Sequence, residues 1–437
     1  MLQTLKNIFS VKDLRQKLLF TVFIILLFRL GTFVTVPGLD KARIESEFDA
    51  SSVGILGTIN LISGGAFSNM SIFAMTIGPY ITASIVLNLL QVIVPSLERL
   101  AKEGEEGKKK LNKYTKYLTI AFSFVEGLGF YVNYRSYMLL PLQSGLGVIV
   151  GAILFVSSLM AGTALLTWLG DKITEYGIGN GISVIIFVGI ISRLPDAAVT
   201  LFEYAKEGGA MSWLIVAGLV IAMCLVLAGV VFMQQAERRI PVNYAKKVVG
   251  RKMFGGQNTH IPMKLSMAGV MPIIFAMSFM MFPATIISLV TKANPTGFWM
   301  HVYKAFSITS DSAWYYILIY ALVYTLLIIG FTFVYTMFVV NPTEIANNLK
   351  KNGGFIPGVR AGKNTSDYLN TTLKNVTWVG AIFLAAVAVL PVVMQGFMPI
   401  SITFGGTSVL IVVSVALEVL KGLETQMVSR HYKGFLD

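Results

Sequence analysis

The stretch from residue 57 to residue 94 constrains the fold of this 437-residue chain more than any other. A short apolar segment at 59–68, interrupted by two adjacent glycines, is followed directly by a full-length apolar run at 71–94 with Gly78-Pro79 inside it. A helix needs about 20 apolar residues to cross the roughly 30 Å hydrocarbon core of a bilayer. A segment of about ten can enter that depth only where protein shields it or where it lines a cavity. The pattern therefore predicts a membrane protein that encloses a space.

The rest of the chain supports a single membrane protein with many spans. Hydrophobic residues make up 55% of the chain and charged residues only 13%, which is unlike a soluble protein of several domains. Apolar runs that are long enough to cross once predict an all-α polytopic fold with ten membrane helices. The predicted spans cover residues 18–36, 71–94, 115–135, 146–168, 178–194, 211–233, 267–290, 314–340, 376–396 and 400–420.

Lysine and arginine set the expected orientation. Most of these 35 residues lie on the side that holds both termini, the 95–114 loop and two long loops at about 234–266 and 341–370. Because cytoplasmic loops carry an excess of basic residues, this side is predicted to be cytoplasmic, with both termini there. The same excess accounts for most of the net charge of +13.

The spans divide into two halves at the 195–210 loop. Five spans precede this loop and five follow it, so the halves, residues 1–195 and 196–437, are expected to have opposite topology. Inverted repeats of this kind place a functional path at the interface between the halves. The prediction depends on the span count, since the two halves show no convincing residue-level match.

The two long basic loops differ from ordinary cytoplasmic connections. Loops longer than about 12–15 residues are commonly functional or disordered. Both of these loops are longer than that, and both contain aromatic and apolar residues. Apolar and basic residues alternate around residues 240–249, which allows a hairpin or a strand. A structured basic surface suits an acidic protein or RNA phosphates. The alternative is the ordinary positive charge of cytoplasmic loops.

The sequence lacks catalytic and metal-binding patterns. It has no phosphate-binding loop, no carboxylate pair and no nucleophile beside a base, and its three histidines lack the spacing of metal ligands. The single Cys224 excludes an intramolecular disulfide. We therefore expect no enzyme activity, no catalytic residue, no metal site and no cofactor.

Charged groups within the spans are few. Arg29 and Glu126 are the clearest cases. Glu126 is interpreted either as a carboxyl hydrogen-bonded to a neighbouring helix or as a polar latch between helices that separate. Ions and polar solutes usually require charged or coordinating groups at this depth. A secondary transporter with inverted repeats and a discontinuous helix is the alternative function, although few polar groups near the membrane midplane would serve it.

Isoleucines occur in the middle of several spans. Two pairs are four residues apart and therefore share a helix face, and two more isoleucines lie singly in later spans. Periodicity alone does not separate them from neighbours that face lipid or the protein core. The residues concerned are Ile77, Ile81, Ile182, Ile186, Ile274 and Ile411.

Several long segments resemble, in the same order, the SecY/Sec61-alpha family. They are SGGAFSNMSIFAMTIGPYITASI at 63–85, GIGNGISVIIF at 177–187, MAGVMPIIFA and FPATI within 267–286, IPGVRAGKNTSDYL at 356–369 and FGGTSVLIVV at 404–413. Bacterial members of this family are the central, channel-forming subunit of the Sec protein translocase. The resemblance implies ten helices in two inverted, pseudo-symmetric halves around a central pore, with a plug half-helix.

The resemblance also assigns roles to residues. The six isoleucines fall where the family places its pore ring. Gly78 and Pro79 are expected to kink a gate helix, because proline removes a backbone hydrogen bond, and spans 2, 3, 7 and 8 are expected to form a lateral gate. Residues 57–68, which we call the plug segment, are expected to be held by weak contacts outside the ring. Its central residues are Ile59, Asn60, Leu61, Ile62, Ser63, Gly64, Gly65, Ala66 and Phe67.

The function implied by the resemblance is passage of secretory polypeptides across a bacterial cell membrane, with sideways release of transmembrane segments into the lipid bilayer. The implied partners are the membrane subunits SecE and SecG, the motor ATPase SecA and the ribosome, contacted through its RNA and protein. The basic loops are expected to dock the motor or the ribosome. The docking residues are Arg360 above all, with Arg238, Arg239, Lys246, Lys247, Arg251 and Lys252.

Overall fold

Helices make up most of the protein, as its composition predicts. The computed structural model describes residues 12–40, 43–44, 60, 63–142, 145–207, 209–244, 247–249, 252–254, 258–291, 297–306, 313–397 and 406–431. In chain order its α-helices are α1 (Lys12–Gly31), α2 (Gly78–Ile93), α3 (Pro95–Lys102), α4 (Glu105–Tyr134), α5 (Leu146–Tyr176), α6 (Gly181–Ser192), α7 (Leu194–Glu207), α8 (Gly209–Gln235), α9 (Met271–Val290), α10 (Phe298–Phe306), α11 (Trp314–Val339), α12 (Pro342–Lys351), α13 (Lys363–Phe397) and α14 (Gly406–His431).

Each of the ten predicted spans overlaps one of these helices, namely α1, α2, α4, α5, α6, α8, α9, α11, α13 and α14. By length and composition alone, five helical stretches of the described residues are long and apolar enough to cross a membrane. A sixth is added if α2 and α3, which meet at a bend of 100°, are taken as one broken span. The others are shorter or carry more charge, as α1 does with its four basic residues.

The second span begins later than the sequence predicts. Residues 71–77 form turns, and α2 begins only at Gly78, with Pro79 in its first turn. A proline there costs no helical hydrogen bond, because the first N–H groups of a helix have no intrahelical partner. The expected kink at Gly78-Pro79 is therefore wrong: the pair starts the helix and does not bend it. Thr76, just before, has a left-handed φ of 52°, which is unusual for a β-branched residue.

The fifth span is also divided differently from the prediction. α6 ends at Ser192, and after a turn at Arg193 the chain continues as α7, where the sequence suggests a loop at 195–210. Asn180 caps the start of α6, since its Oδ1 accepts from the backbone N–H groups of Ile182 at 3.1 Å and Ser183 at 3.4 Å. The glycine-rich stretch before α6 is thus a capped helix start.

Strands join the two long basic loops. β1 (Glu237–Tyr244) pairs antiparallel with β4 (Asn258–Lys264), as the alternation near residue 240 suggests. Between them β2 (Lys247–Val249) pairs with β3 (Lys252–Phe254). β5 (Gly354–Phe355), from the second loop, pairs with the other edge of β1. The two loops therefore form one structured surface that carries the described basic residues Arg238, Arg239, Lys247, Lys252 and Arg360.

Two large hydrophobic clusters hold the helices together. One gathers buried residues of α1, α5, α6 and α14 with those just before α2, and the other gathers residues of α8, α9, α11, α13 and α14. α14 contributes to both, because Ile411 lies in the first cluster and Leu410 in the second. This helix therefore lies where the two groups of helices meet.

Candidate functional site

The six isoleucines of the predicted pore ring all take part in the first hydrophobic cluster. They come from α2 and the residue before it, from α6, from α9 and from α14, so the fold gathers them from distant parts of the chain. Their side chains offer no hydrogen-bonding group to water or to an ion. Ile77, Ile186 and Ile411 are buried, and Ile81, Ile182 and Ile274 are partly buried. We call these six residues the isoleucine cluster.

The described part of the plug segment is a folded series of turns. Residues 63–70 form consecutive turns, and Asn60 has helical backbone. Asn60 ties the segment together, since its Oδ1 accepts from Ser68 N at 3.0 Å and its backbone carbonyl accepts from Gly65 N at 3.0 Å. Ile59, Leu61 and Ile62, which are also predicted to belong to the plug, lie outside the described residues.

The plug segment is packed more firmly than the sequence suggests. Ser63, Ala66 and Phe67 have 0% of their surface exposed, and Ala66 belongs to the same hydrophobic cluster as the isoleucines. The ring of Phe67 lies 5.7 Å from that of Phe130 and 6.3 Å from that of Tyr134, both on α4. Edge-to-face pairs of this kind add to the apolar burial. The expected weak contacts are therefore replaced by a buried aromatic anchor.

Gly64 lets the plug segment approach α6 closely. A Cβ at this position would lie 2.8 Å from Ser192 Oγ, 3.0 Å from Arg29 Nη1 and 3.0 Å from Gly189 Cα. Its φ of 63° is also one that residues with a Cβ rarely adopt. Both the backbone conformation and the close contact require glycine here.

A cavity of about 430 Å³ borders the isoleucine cluster. Ile186, Ile274 and Ile411 line it together with polar residues that include Gln234 and Glu418. Lys264, at the end of β4, also lines it, so the cavity opens toward the surface formed by the basic loops. The isoleucine cluster thus contacts both the plug segment, through Ala66, and this cavity.

The helices of the predicted lateral gate contact one another. α9 touches both α2 and α4, and it packs along α11 through Phe275, whose ring lies 6.0 Å from that of Phe331. Glu126 is half-buried within α4. The seam between α9 and the pair α2 and α4 borders the isoleucine cluster, because Ile274 lies on α9 and Ile81 on α2.

Five of the seven basic residues predicted to dock a partner lie on the described part of the joined loop surface. Arg360 is exposed in the turn between β5 and α13, where its backbone carbonyl accepts from Thr365 Oγ1 at 2.9 Å. Arg238 and Arg239 are exposed on β1. Arg239 Nε donates to Glu237 at 2.8 Å, and this hydrogen bond lowers the pKa of the Glu237 carboxyl. Lys247 lies on β2 and Lys252 on β3, and Lys246 and Arg251 lie outside the described residues.

Sequence reasoning missed the polar neighbours of the plug segment. Arg193 donates to Ser68 Oγ, and Arg29 donates to the backbone carbonyl of Gly64. Arg29 is conspicuous as a cation inside a span, but its partner lies 35 residues away. Arg193 reads as an ordinary cation at the end of a span, and its partner is 125 residues away. Local pattern does not reveal either contact.

Comparison with known proteins finds one family that the chain matches. The model of the SecY family matches residues 71–420. The protein translocase subunit SecY of Halalkalibacterium halodurans is 44% identical over 446 residues, which cover 100% of both chains. The subunit of the same name from Streptomyces coelicolor is 42% identical over 447 residues, again with 100% of both chains covered.

Solved structures share the fold at lower identity. A protein-conducting channel aligns with a TM-score of 0.64 at 18% identity, over 95% of this chain and 93% of that one. Sec61 from the canine ribosome-channel complex of the endoplasmic reticulum aligns with a TM-score of 0.61 at 17% identity and the same coverage. Yeast Ssh1 in a complex bound to the 80S ribosome aligns with a TM-score of 0.65 at 13% identity, over 93% of this chain and 89% of that one.

Proposed function

We propose, because this chain belongs to the SecY family, that it forms the channel through which the translocase passes polypeptides across a membrane. The observation that carries the proposal is the isoleucine cluster, which contacts both the buried plug residue Ala66 and a cavity of about 430 Å³. An apolar constriction excludes water and ions by dewetting. Because its side chains form no directional bonds, the same constriction can yield around polypeptide side chains of any chemistry.

Sideways release into lipid would use the seam between α9 and the pair α2 and α4. Separation of these helices would expose the passing segment to the hydrocarbon core. A segment would then partition by its hydrophobicity: Leu, Ile, Phe and Val each favour the membrane by a few tenths of a kcal/mol, and a charge at mid-span costs about 2.5–3.5 kcal/mol. One channel could thus sort secreted chains from membrane spans without a catalytic residue.

A secondary transporter is disfavoured as the alternative. Transporters with inverted repeats bind substrate and coupling ion through polar groups near the midplane. The constriction of this chain is aliphatic, and its full-length relatives are protein translocase subunits. We infer that the chain is a channel subunit with no catalytic activity of its own, so the energy for transport comes from a partner.

Partners are proposed from the basic loop surface and from the relatives. The Sec61 and Ssh1 structures come from ribosome complexes, and a basic surface suits ribosomal RNA as well as an acidic motor protein. We infer docking of the ribosome or of the SecA ATPase on β1, β4, β5 and the turn at Arg360, with SecE and SecG as membrane subunits. The protein would lie in the bacterial cell membrane with both termini in the cytoplasm, in two halves that meet near residue 195.

A transport assay tests the proposed function. Inverted membrane vesicles that contain the chain and its partner subunits should protect an added secretory precursor from external protease when the motor and ATP are supplied. Vesicles without the chain should not protect it. Uptake of a small solute in place of the precursor would instead support the transporter.

Charge reversal at Arg360 is expected to block motor-driven transport. Arg360→Glu should reduce protection of the precursor by about tenfold or more, because loss of a charged hydrogen bond at a contact costs about 1.5–3 kcal/mol. Lys109→Glu, which reverses an exposed charge on α4 outside the two long basic loops, is the matched control and should retain most transport. Unimpaired transport with Arg360→Glu would remove this residue from the docking site.

A further inference from the structure

Arg29 holds the plug segment from the side of α1. Its Nη1 donates to the backbone carbonyl of Gly64 at 2.8 Å and to Ser192 Oγ at 3.0 Å. Ser192 Oγ in turn donates to the carbonyl of Gly189 at 2.7 Å. The guanidinium carbon also lies 5.8 Å from the centre of the Phe33 ring. One cation therefore links α1, α6 and the plug backbone, and a backbone acceptor makes this contact independent of the plug side chain at position 64.

Arg193 holds the same segment from the end of α6. Its Nη2 donates to Ser68 Oγ at 3.1 Å, and its Nη1 pairs with Asp196 at 2.8 Å. The ion pair to α7 fixes the direction of the side chain. The guanidinium lies flat against Gly65, because a Cβ there would be 3.0–3.3 Å from three of its atoms. This arginine thus touches the plug segment by a hydrogen bond and by packing.

The two contacts lie at successive points of one short segment. Arg29 engages residue 64, and Arg193 engages residues 65 and 68. Both arginines are anchored to helices that also contribute to the hydrophobic cluster beneath the plug. Hydrogen bonds from charged donors are the stronger ones in proteins. Two such bonds, with no covalent link, can hold the segment in the resting channel and still break when the channel opens.

We propose that Arg29 and Arg193 form a two-point latch that keeps the plug segment closed over the isoleucine cluster, an inference that rests on the proposed channel function. Release of the segment breaks the hydrogen bond that each guanidinium makes with it, although Arg29 keeps Ser192 and Arg193 keeps Asp196 as partners. The N–H groups that pointed at the plug must then find water or other acceptors. The latch therefore resists opening in a dry, resting channel and yields once the passage is hydrated or occupied. A purely structural role would stabilise the helices without changing how often the plug leaves.

Accessibility of a buried plug residue measures the latch. Ser63→Cys in a Cys224→Ser background places a single thiol at a position that has 0% of its surface exposed. Vesicles contain the full chain and its partner subunits. A membrane-impermeant maleimide is added on the side of the membrane opposite the basic loops. The labelling rate is expected to rise about tenfold or more with Arg29→Met and Arg193→Met together, because each substitution removes a charged hydrogen bond.

Three further variants make the result specific. Arg135→Met removes an exposed arginine at the outer end of α4 and should leave labelling unchanged. Ser68→Ala removes the acceptor of Arg193 and the hydrogen bond from Ser68 Oγ to the Gly65 carbonyl. It leaves both arginines in place and should raise labelling by a smaller factor. If the arginine variants fail to fold, the labelling rate of Ser68→Ala tests the latch in their place. Ile186→Ser alters the constriction and leaves the latch unchanged. Its ion conductance tests the channel itself.

The outcomes separate the latch from the proposed function. Faster labelling and higher resting conductance in the double arginine variant, with Arg135→Met unchanged, support the latch. Wild-type labelling in the double arginine variant and in Ser68→Ala, alongside an ion-conducting Ile186→Ser, would refute the latch and leave the channel intact. Absence of conductance in every variant would overturn the channel, and the latch with it.

Discussion

Serine in place of Ile186 and Ile411 is expected to make the resting channel conduct ions. Both side chains are buried in the isoleucine cluster, with 4% and 3% of their surface exposed, and both line the cavity next to it. A constriction of this kind stays dry because its walls offer water no hydrogen bond. Two hydroxyl groups that water can solvate should favour the wet state by about 3 kcal/mol, which is about a hundredfold in its population.

Single-channel recording in planar bilayers measures this effect. The matched control is Ile273→Ser, since Ile273 is next to Ile274 on α9 and has 0% of its surface exposed. It belongs to the second hydrophobic cluster and does not line the cavity. The control should lose some stability and remain tight to ions. Equal currents from both variants would mean that general loosening, and not the isoleucine cluster, sets the seal.

Valine at Gly64 is expected to displace the plug segment in the resting channel. The left-handed backbone there costs a residue with a Cβ about 1–2 kcal/mol. The new Cβ would also lie within 3.0 Å of Ser192, Arg29 and Gly189, and overpacking of this kind typically costs about 1–3 kcal/mol. Together these two costs are about 2–5 kcal/mol, compared with about 1.5–3 kcal/mol for a single charged hydrogen bond. Resting conductance and labelling of a cysteine at residue 63 should both rise, by more than with either arginine variant alone.

Gly145 separates the two causes of this effect. Its φ of 56° is close to that of Gly64, but a Cβ there would meet nothing within 4 Å. Gly145→Val therefore carries the backbone cost without the contact with α6. It should leave the plug in place and the channel tight. A Gly64→Val channel as tight as the Gly145→Val channel would show that the close approach to α6 does not hold the plug segment.

Hydropathy was enough to predict the ten-helix fold, because span length and basic loops are local properties of the sequence. The hairpin near residue 240 was likewise visible in the alternation of apolar and basic residues. Helix boundaries were less accessible. Pro79 reads as a kink when residues 71–77 are assumed to be helical, and as a first-turn residue when they are turns. Whether residues 71–77 are helical or form turns depends on backbone contacts with other segments, such as the hydrogen bond from Ile72 N to Val34 O at 2.9 Å.

The residues of the site could not be predicted from the sequence pattern alone. Ile273 and Ile274 are adjacent and chemically identical, yet one lies in the second hydrophobic cluster and the other lines the cavity beside the isoleucine cluster. Only the resemblance to a family singled out the second. The latch arginines were not predicted at all, since their contacts with the plug segment join residues far apart in sequence and involve a backbone carbonyl.

Photo-crosslinking to an arrested substrate tests the central claim most directly. A secretory polypeptide with a tightly folded C-terminal domain is stalled partway through the channel, with p-benzoylphenylalanine at position 274 or, in a matched sample, at position 273. If the polypeptide passes through the isoleucine cluster, position 274 should give a covalent adduct with the substrate and position 273 should give little. Adducts of equal yield at both positions, or at position 273 alone, would contradict it.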